Sequence, residues 1–148
     1  MSLPIIYAST SGNVELVCEY IQRSLGDAGI DTSLHRAEVT SIDLIKNADN
    51  MILATSTWEH GELNPFFAKL LSEMKQEDLG GKKAAFVGLG DRRYEPVLFC
   101  RGIEILQEAF TAQGGSQIGE ILKIEGEPHT QLDSTVKPWL ESIIQNLK

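Results

Sequence analysis

The sequence predicts a three-layer α/β sandwich, a five-stranded parallel sheet of order 2-1-3-4-5 with helices on both faces. Three observations predict it. Short apolar runs alternate five times with stretches whose apolar residues recur at helical spacing. The short runs are apolar throughout, as strands covered on both faces are. Right-handed crossovers leave few topologies for five such units, and 148 residues suit one domain spanning the whole chain, 1–148.

Leu3-Pro4-Ile5-Ile6-Tyr7-Ala8 reads as the first strand. Val14, Val17, Cys18, Ile21 and Leu25 then mark one face of a helix opening at Asn13, which Gly26 and Gly29 close. Ile30 to His35 is the second strand, and Ser41 is placed to N-cap a short helix ending at Lys46. Met51 to Ala54 is the third strand. Phe66, Phe67, Leu70, Leu71 and Met74 give the stretch from Glu62 to Met74 a helical face. After the Gly80-Gly81 turn, Lys83 to Gly88 is the fourth strand, and Ile103, Leu106 and Phe110 mark a helix stopped by Gly114-Gly115. Glu120 to Ile124 is the fifth strand, and Leu132 through Leu147 form the last helix.

Hydrophobic residues make up 42% of the chain and charged residues 23%, which excludes a disordered or fibrous polymer. Thirteen basic against twenty-one acidic residues give a net charge of −8. Such a chain repels nucleic acid and anionic membranes and suits a partner with a basic docking face, although the same acidity also serves solubility. Cys18 and Cys100 have neither disulfide-scaffold nor metal-ligand spacing. No apolar run approaches the ~20 residues of a bilayer span, and no basic segment followed by an apolar run opens the chain. A cytoplasmic monomer is the expectation.

Ligands of open parallel sheets bind beyond the carboxyl ends of the strands, where strand order reverses. After the first strand stands Ser9-Thr10-Ser11-Gly12-Asn13, opening directly into a helix. Its free amides and positive dipole end favour an anion, and with no lysine or arginine in the loop a phosphate would be held by neutral donors. The same residues would also serve as a plain helix cap. Neither a Walker loop nor G-x-G-x-x-G is present there. Thr55-Ser56-Thr57-Trp58 follows the third strand, bringing hydroxyls and an indole suited to stacking. Gly88-Leu89-Gly90-Asp91-Arg92-Arg93-Tyr94 follows the fourth, with glycines for close approach and a second ring. An anion nest with aromatic plates on the next two loops suits a flat aromatic ligand carrying a phosphate.

These loops resemble those of short-chain flavodoxins: Ser9-Thr10-Ser11-Gly12-Asn13 the phosphate loop, Ser56-Thr57-Trp58 the second loop, and Gly90-Asp91-Arg92-Arg93-Tyr94 with Phe99-Cys100 the third. The likeness runs along essentially the whole chain, and Trp58-Glu59-His60-Gly61-Glu62 is also similar to flavodoxin domains of diflavin reductases and to small stand-alone flavodoxin-like proteins. The resemblance implies a flavodoxin-like fold and noncovalent FMN used for one-electron transfer between redox proteins. It implies that Ser9, Thr10, Ser11 and Asn13 hold the phosphate, with Ser56 in support, and that Gly12, Val14, Thr55 and Thr57 also belong to the cofactor site. Trp58 would cover the inner flavin face and Tyr94 the outer. Backbone near Asp91 and Cys100 would meet the pyrimidine edge, with Glu95 near flavin N3 and with Gly90 and Phe99 also in the cofactor site.

The chain departs from the family pattern in three places. Val14 replaces a threonine, removing one hydroxyl but not its amide. Two extra residues stand between Tyr94 and Phe99-Cys100. Glu59 follows the tryptophan where glycine is common; a positive φ costs Glu roughly 1 kcal/mol more than Gly, so the singly reduced flavin is expected to be less stabilised. Arg92 and Arg93 are expected to make the second reduction less negative if they lie within a Debye length, ~8 Å, of the flavin.

No acid–base or nucleophilic set stands out, and His60 lacks a matched partner in sequence. A response-regulator receiver is excluded, because Ala8-Ser9 and Thr55-Ser56 stand where its acidic cluster and phosphoacceptor would be. A flavin-dependent NAD(P)H or quinone reductase and a cofactor-free interaction module on the same fold remain as alternatives to the electron carrier. NAD(P)H turnover separates the first, and a colourless protein the second.

Overall fold

Alternation along the first strand divides the core in two. Leu3, Ile5 and Tyr7 of β1 (Leu3–Ala8) face one side of the sheet and Ile6 and Ala8 the other, as successive strand side chains must. The computed structural model that shows this describes residues 2–58, 62–91 and 99–147. β1 lies between β2 (Thr32–Arg36) and β3 (Asn50–Trp58), parallel to both. The β1–β3 register opens at Ile5 opposite Ile52, so the missing amide of Pro4 falls outside that ladder. β3 pairs in turn with β5 (Lys83–Gly90), from Asn50 opposite Lys83 to Ser56 opposite Leu89.

α1 (Asn13–Asp27) turns Val14, Val17, Cys18, Ile21 and Leu25 onto one face of the sheet. α5 (Lys137–Leu147) joins it there through Trp139, Leu140, Ile143 and Leu147. The opposite face is covered by α2 (Ile42–Asn47), α3 (Ala68–Met74) and α4 (Arg101–Ala112), whose Ile45, Leu70, Met74, Ile103, Leu106 and Phe110 share one buried cluster with Leu53 and Phe86. Phe86 and Phe110 pack edge to face, with ring centroids 5.8 Å apart. Cys18 and Cys100 are free and buried. No helix among the described residues is long and apolar enough to cross a membrane.

The layers and the strand order are as expected from sequence, with corrections of detail. β3 continues past Ala54 to Trp58 and pairs there with antiparallel β4 (Glu62–Leu63), with Thr57 opposite Leu63 and Trp58 opposite Glu62. The expected helix from Glu62 therefore begins later. Asn64 caps a single 3-10 turn, Pro65–Phe67, and α3 proper starts at Ala68. The fifth strand is two pieces, β6 (Ser116–Gln117) and β7 (Leu122–Glu125), both on β5. Lys83 faces Ser116 and Val87 faces Leu122, so this edge carries two residues more than β5 between the pairs, with Gly119 at φ 64° where it bends. The last helix opens with a π turn at Leu132–Val136 before α5.

Candidate functional site

β1 ends at Ala8 and α1 starts at Asn13, so four residues must reverse the chain beside β3. Gly12 makes the reversal, standing as N-cap at φ 91°, and a Cβ there would meet nothing within 4 Å. Ser9 is buried beneath the loop. Its hydroxyl oxygen accepts from the amides of Gly12 (3.1 Å) and Glu15 (3.4 Å), so Ser9 shapes the loop from inside. Thr10, Ser11 and Gly12 are exposed and Asn13 half-buried. Val14 is buried, its side chain in the core, which leaves its amide at the first turn of α1 as its contribution to an anion site.

Beside this loop lies a crevice of about 260 Å³. Thr10, Ser11, Asn13 and Val14 line one wall, Ser56 and Thr57 the floor, and Leu89, Gly90 and Asp91 the other wall. Gly126 and Glu127, just after β7, close the rim. Larger grooves of about 510 and 640 Å³ lie between α1 and α5 and at the opposite ends of the strands, away from these loops.

The hydroxyls are oriented by their neighbours. The buried Asn64 side-chain amide donates to Ser56 Oγ (2.9 Å) while its Oδ1 accepts from Phe66 N (2.9 Å), leaving the Ser56 hydroxyl proton to be donated elsewhere. Thr57 Oγ1 accepts from Gly102 N (2.9 Å), capping α4 from β3. Thr55 is fully buried and donates to Ser56 O (3.1 Å), so it lies below the crevice and does not line it.

Cys100 adopts the left-handed conformation (φ 56°) as N-cap of α4, and the turn it shares with Phe99 presses on the end of β5. A Cβ at Gly90 would lie 3.1 Å from Cys100 N and 3.3 Å from Phe99 Cδ1, so glycine permits this approach. Cys100 is buried and Phe99 half-buried. The Trp58 backbone ends β3 opposite Glu62. Glu59, Tyr94 and Glu95 lie outside the described residues, as do His60, Arg92 and Arg93.

Two groups at the site escaped the sequence reading. Gly126 N donates to Gly90 O (2.9 Å), and Gln131 Nε2 donates to Glu125 O (2.6 Å) and Glu127 O (3.0 Å), fixing the rim after β7. The strand-end rule that pointed to the other loops also covers this one. The second is Arg36, the last residue of β2. Its Nη2 donates to Ser9 O (2.7 Å) and its Nε to Glu38 Oε2 (2.9 Å), and its Nη1 lies 3.6 Å from Glu15 Oε1. The Tyr7 hydroxyl donates to the same Glu15 oxygen (2.7 Å). Burial, then the hydrogen bond and charge of Glu15, push the Tyr7 phenol up to about 12, while its bond to Glu38 raises Arg36 further above its already high value.

This arrangement presents hydroxyls, a side-chain amide and helix-start amides to an anion at the β1–β3 reversal, beside a slot between two strand ends. The flavodoxin family model matches residues 5–139. The chain belongs to the flavodoxin family. The flavodoxin of Maridesulfovibrio salexigens is 35% identical over 127 residues, covering 84% of this chain and 86% of that one. A Nitratidesulfovibrio vulgaris flavodoxin is 30% identical over 146 residues, 97% of each chain. The MioC homolog of Haemophilus influenzae is 30% identical over the full length of both. Among solved flavodoxin structures, oxidised flavodoxin 2 from Bacillus cereus superposes with a TM-score of 0.83 at 31% identity, over 99% of this chain and 95% of that one. A Fusobacterium nucleatum flavodoxin bound to flavin mononucleotide shares the fold, with a TM-score of 0.82 at 22% identity over 98% and 96%.

Proposed function

We propose that this flavodoxin binds FMN noncovalently in the crevice and carries single electrons between redox proteins. The observation that carries the reading is the uncharged anion loop of Thr10, Ser11 and Asn13 at the β1–β3 reversal, in a chain of this family. FMN supplies the redox chemistry when bound. The chain supplies grip and orientation. Thr10, Ser11, Asn13 and the amide of Val14 fit the phosphate, and Ser56, oriented by Asn64, adds a hydroxyl. Gly90 and Asp91 place backbone groups along the slot, where Phe99 and Cys100 close in. Trp58 and Tyr94 are our candidates for the rings that exclude water from the flavin faces, and Glu59 and Glu95 for contacts at its edge.

With a net charge of −8, the protein is expected to work as a monomer that docks on basic partners, in the cytoplasm, where its buried cysteines stay reduced. The test is a visible spectrum of the purified protein, FMN titration of the apoprotein and stepwise reduction by dithionite. The reading expects a yellow protein that quenches FMN fluorescence, takes up electrons one at a time and oxidises no NAD(P)H by itself. A colourless protein indifferent to FMN overturns it. Electron transfer to a basic partner should slow as salt rises.

A further inference from the structure

The anion loop carries no cation of its own, yet one stands directly behind it. Arg36 closes β2 opposite Tyr7, two residues before Ser9 on the neighbouring strand. Its guanidinium is held on several sides: by the Ser9 carbonyl (2.7 Å), by Glu38 (2.9 Å), by Glu15 (3.6 Å) and by the face of the Tyr7 ring, 5.6 Å from its centroid. Two of its arms thus reach the loop, at the Ser9 carbonyl, and the first turn of α1, at Glu15, while Glu38 holds the third.

Ser9 is the hinge of that arrangement. Its hydroxyl oxygen receives the amides of Gly12 and Glu15, and its carbonyl receives Arg36. If Ser9 turns, one loop amide and one amide of the first α1 turn lose their acceptor at once. Glu15 stands in the first turn of α1, where a free carboxylate would repel a bound anion. Tyr7 and Arg36 bind it on the β1–β2 side, and the guanidinium charge opposes it there.

We infer that Arg36 is a positioning residue for phosphate recognition: without touching the ligand, it fixes Ser9 and neutralises Glu15, so that the loop discriminates the phosphorylated flavin from the plain one. The inference rests on the FMN reading above. A lysine cannot replace it fully, because an ammonium cannot serve three fixed directions with a planar fork.

The test compares FMN and riboflavin affinities of the full-length apoprotein by fluorescence quenching, for the natural chain, Arg36→Met, Arg36→Gln and Arg36→Lys. In Arg36→Met the FMN dissociation constant should rise about tenfold, equivalent to ~1.4 kcal/mol, while riboflavin changes less than about twofold. Arg36→Lys should recover part of the loss. Arg36→Gln keeps a donor but no charge and should show the same selective loss, which keeps the test open if the methionine variant does not fold. Equal weakening of both flavins, or unchanged FMN affinity, overturns the role of Arg36 while leaving the cofactor reading intact. A natural chain that binds neither flavin overturns both.

Discussion

The amide of Gly102 donates to the Thr57 hydroxyl oxygen at 2.9 Å, so the first turn of α4 is capped by the end of β3. A Cβ on Gly102 would lie 2.8 Å from Ser56 O and 3.0 Å from Thr57 Oγ1. The strand backbone cannot give way cheaply, so Gly102→Ala should destabilise by ~1–3 kcal/mol, against the ~1 kcal/mol that alanine offers a helix interior. Urea unfolding measures the sum. Thr57→Val, which keeps the shape and removes the acceptor, should cost ~1 kcal/mol. Natural stability in both variants would mean that the contact is incidental.

Asn64 joins stability to the site, since it caps the Pro65–Phe67 turn and donates to Ser56. Asn64→Ala should cost ~1–2 kcal/mol in thermal or urea unfolding and should also weaken FMN binding, because Ser56 loses the partner that directs its proton. Lost stability with natural FMN affinity would show that Ser56 needs no such direction.

Tyr7 sets a pH dependence. Burial and Glu15 hold its phenol protonated, with its pKa raised from 10.0 to about 12. A phenol that ionises more readily in the unfolded chain stabilises the fold fully below pH ~10 and loses that contribution as the pH rises toward ~12. The loss should reach ~2–3 kcal/mol at most. Tyr7→Phe starts lower, having lost the bond to Glu15, and should lack this fall. Parallel alkaline profiles from the two proteins in urea unfolding would assign the pH dependence to other groups.

Ser9 and Ser11 separate shaping from contact. Ser9 is buried and bonded to two amides, whereas Ser11 is exposed on the crevice wall. Ser9→Ala should lower apoprotein stability by ~1 kcal/mol or more. Ser11→Ala should leave it within ~0.5 kcal/mol and show its loss only in FMN affinity. Adding FMN at about a hundred times its dissociation constant should raise stability by ~2.7 kcal/mol, a gain that stripping the flavin removes.

How much of this was legible in the chain depends on what made each element. β1 and β5 read clearly because both faces are buried, so their apolar runs are unbroken. β2 is half-exposed throughout, and its boundary sits two residues later than the periodicity suggests. The helix expected from Glu62 failed at Asn64-Pro65, a cap-and-proline pair that signals a helix start there and not earlier. The split far edge could not be read from Glu120 to Ile124, because a bulge depends on register with β5. The anion loop and the two strand-end loops were visible as local runs of hydroxyls and glycine. Arg36 was not, because it reaches Ser9 only through the pairing of β2 with β1. Thr55 and Ser56 are adjacent hydroxyls in sequence, but Thr55 is fully buried one step earlier along β3, whereas Ser56 and Thr57 line the crevice.

The divided margin formed by β6 and β7 has a consequence for the company the molecule keeps. Two residues, a bend at Gly119, then four residues give an incoming strand no straight row of amides and carbonyls to zip against. An intruding polypeptide would have to reproduce the kink to prolong the sheet, so this rim discourages fibrous growth even in a crowded solution.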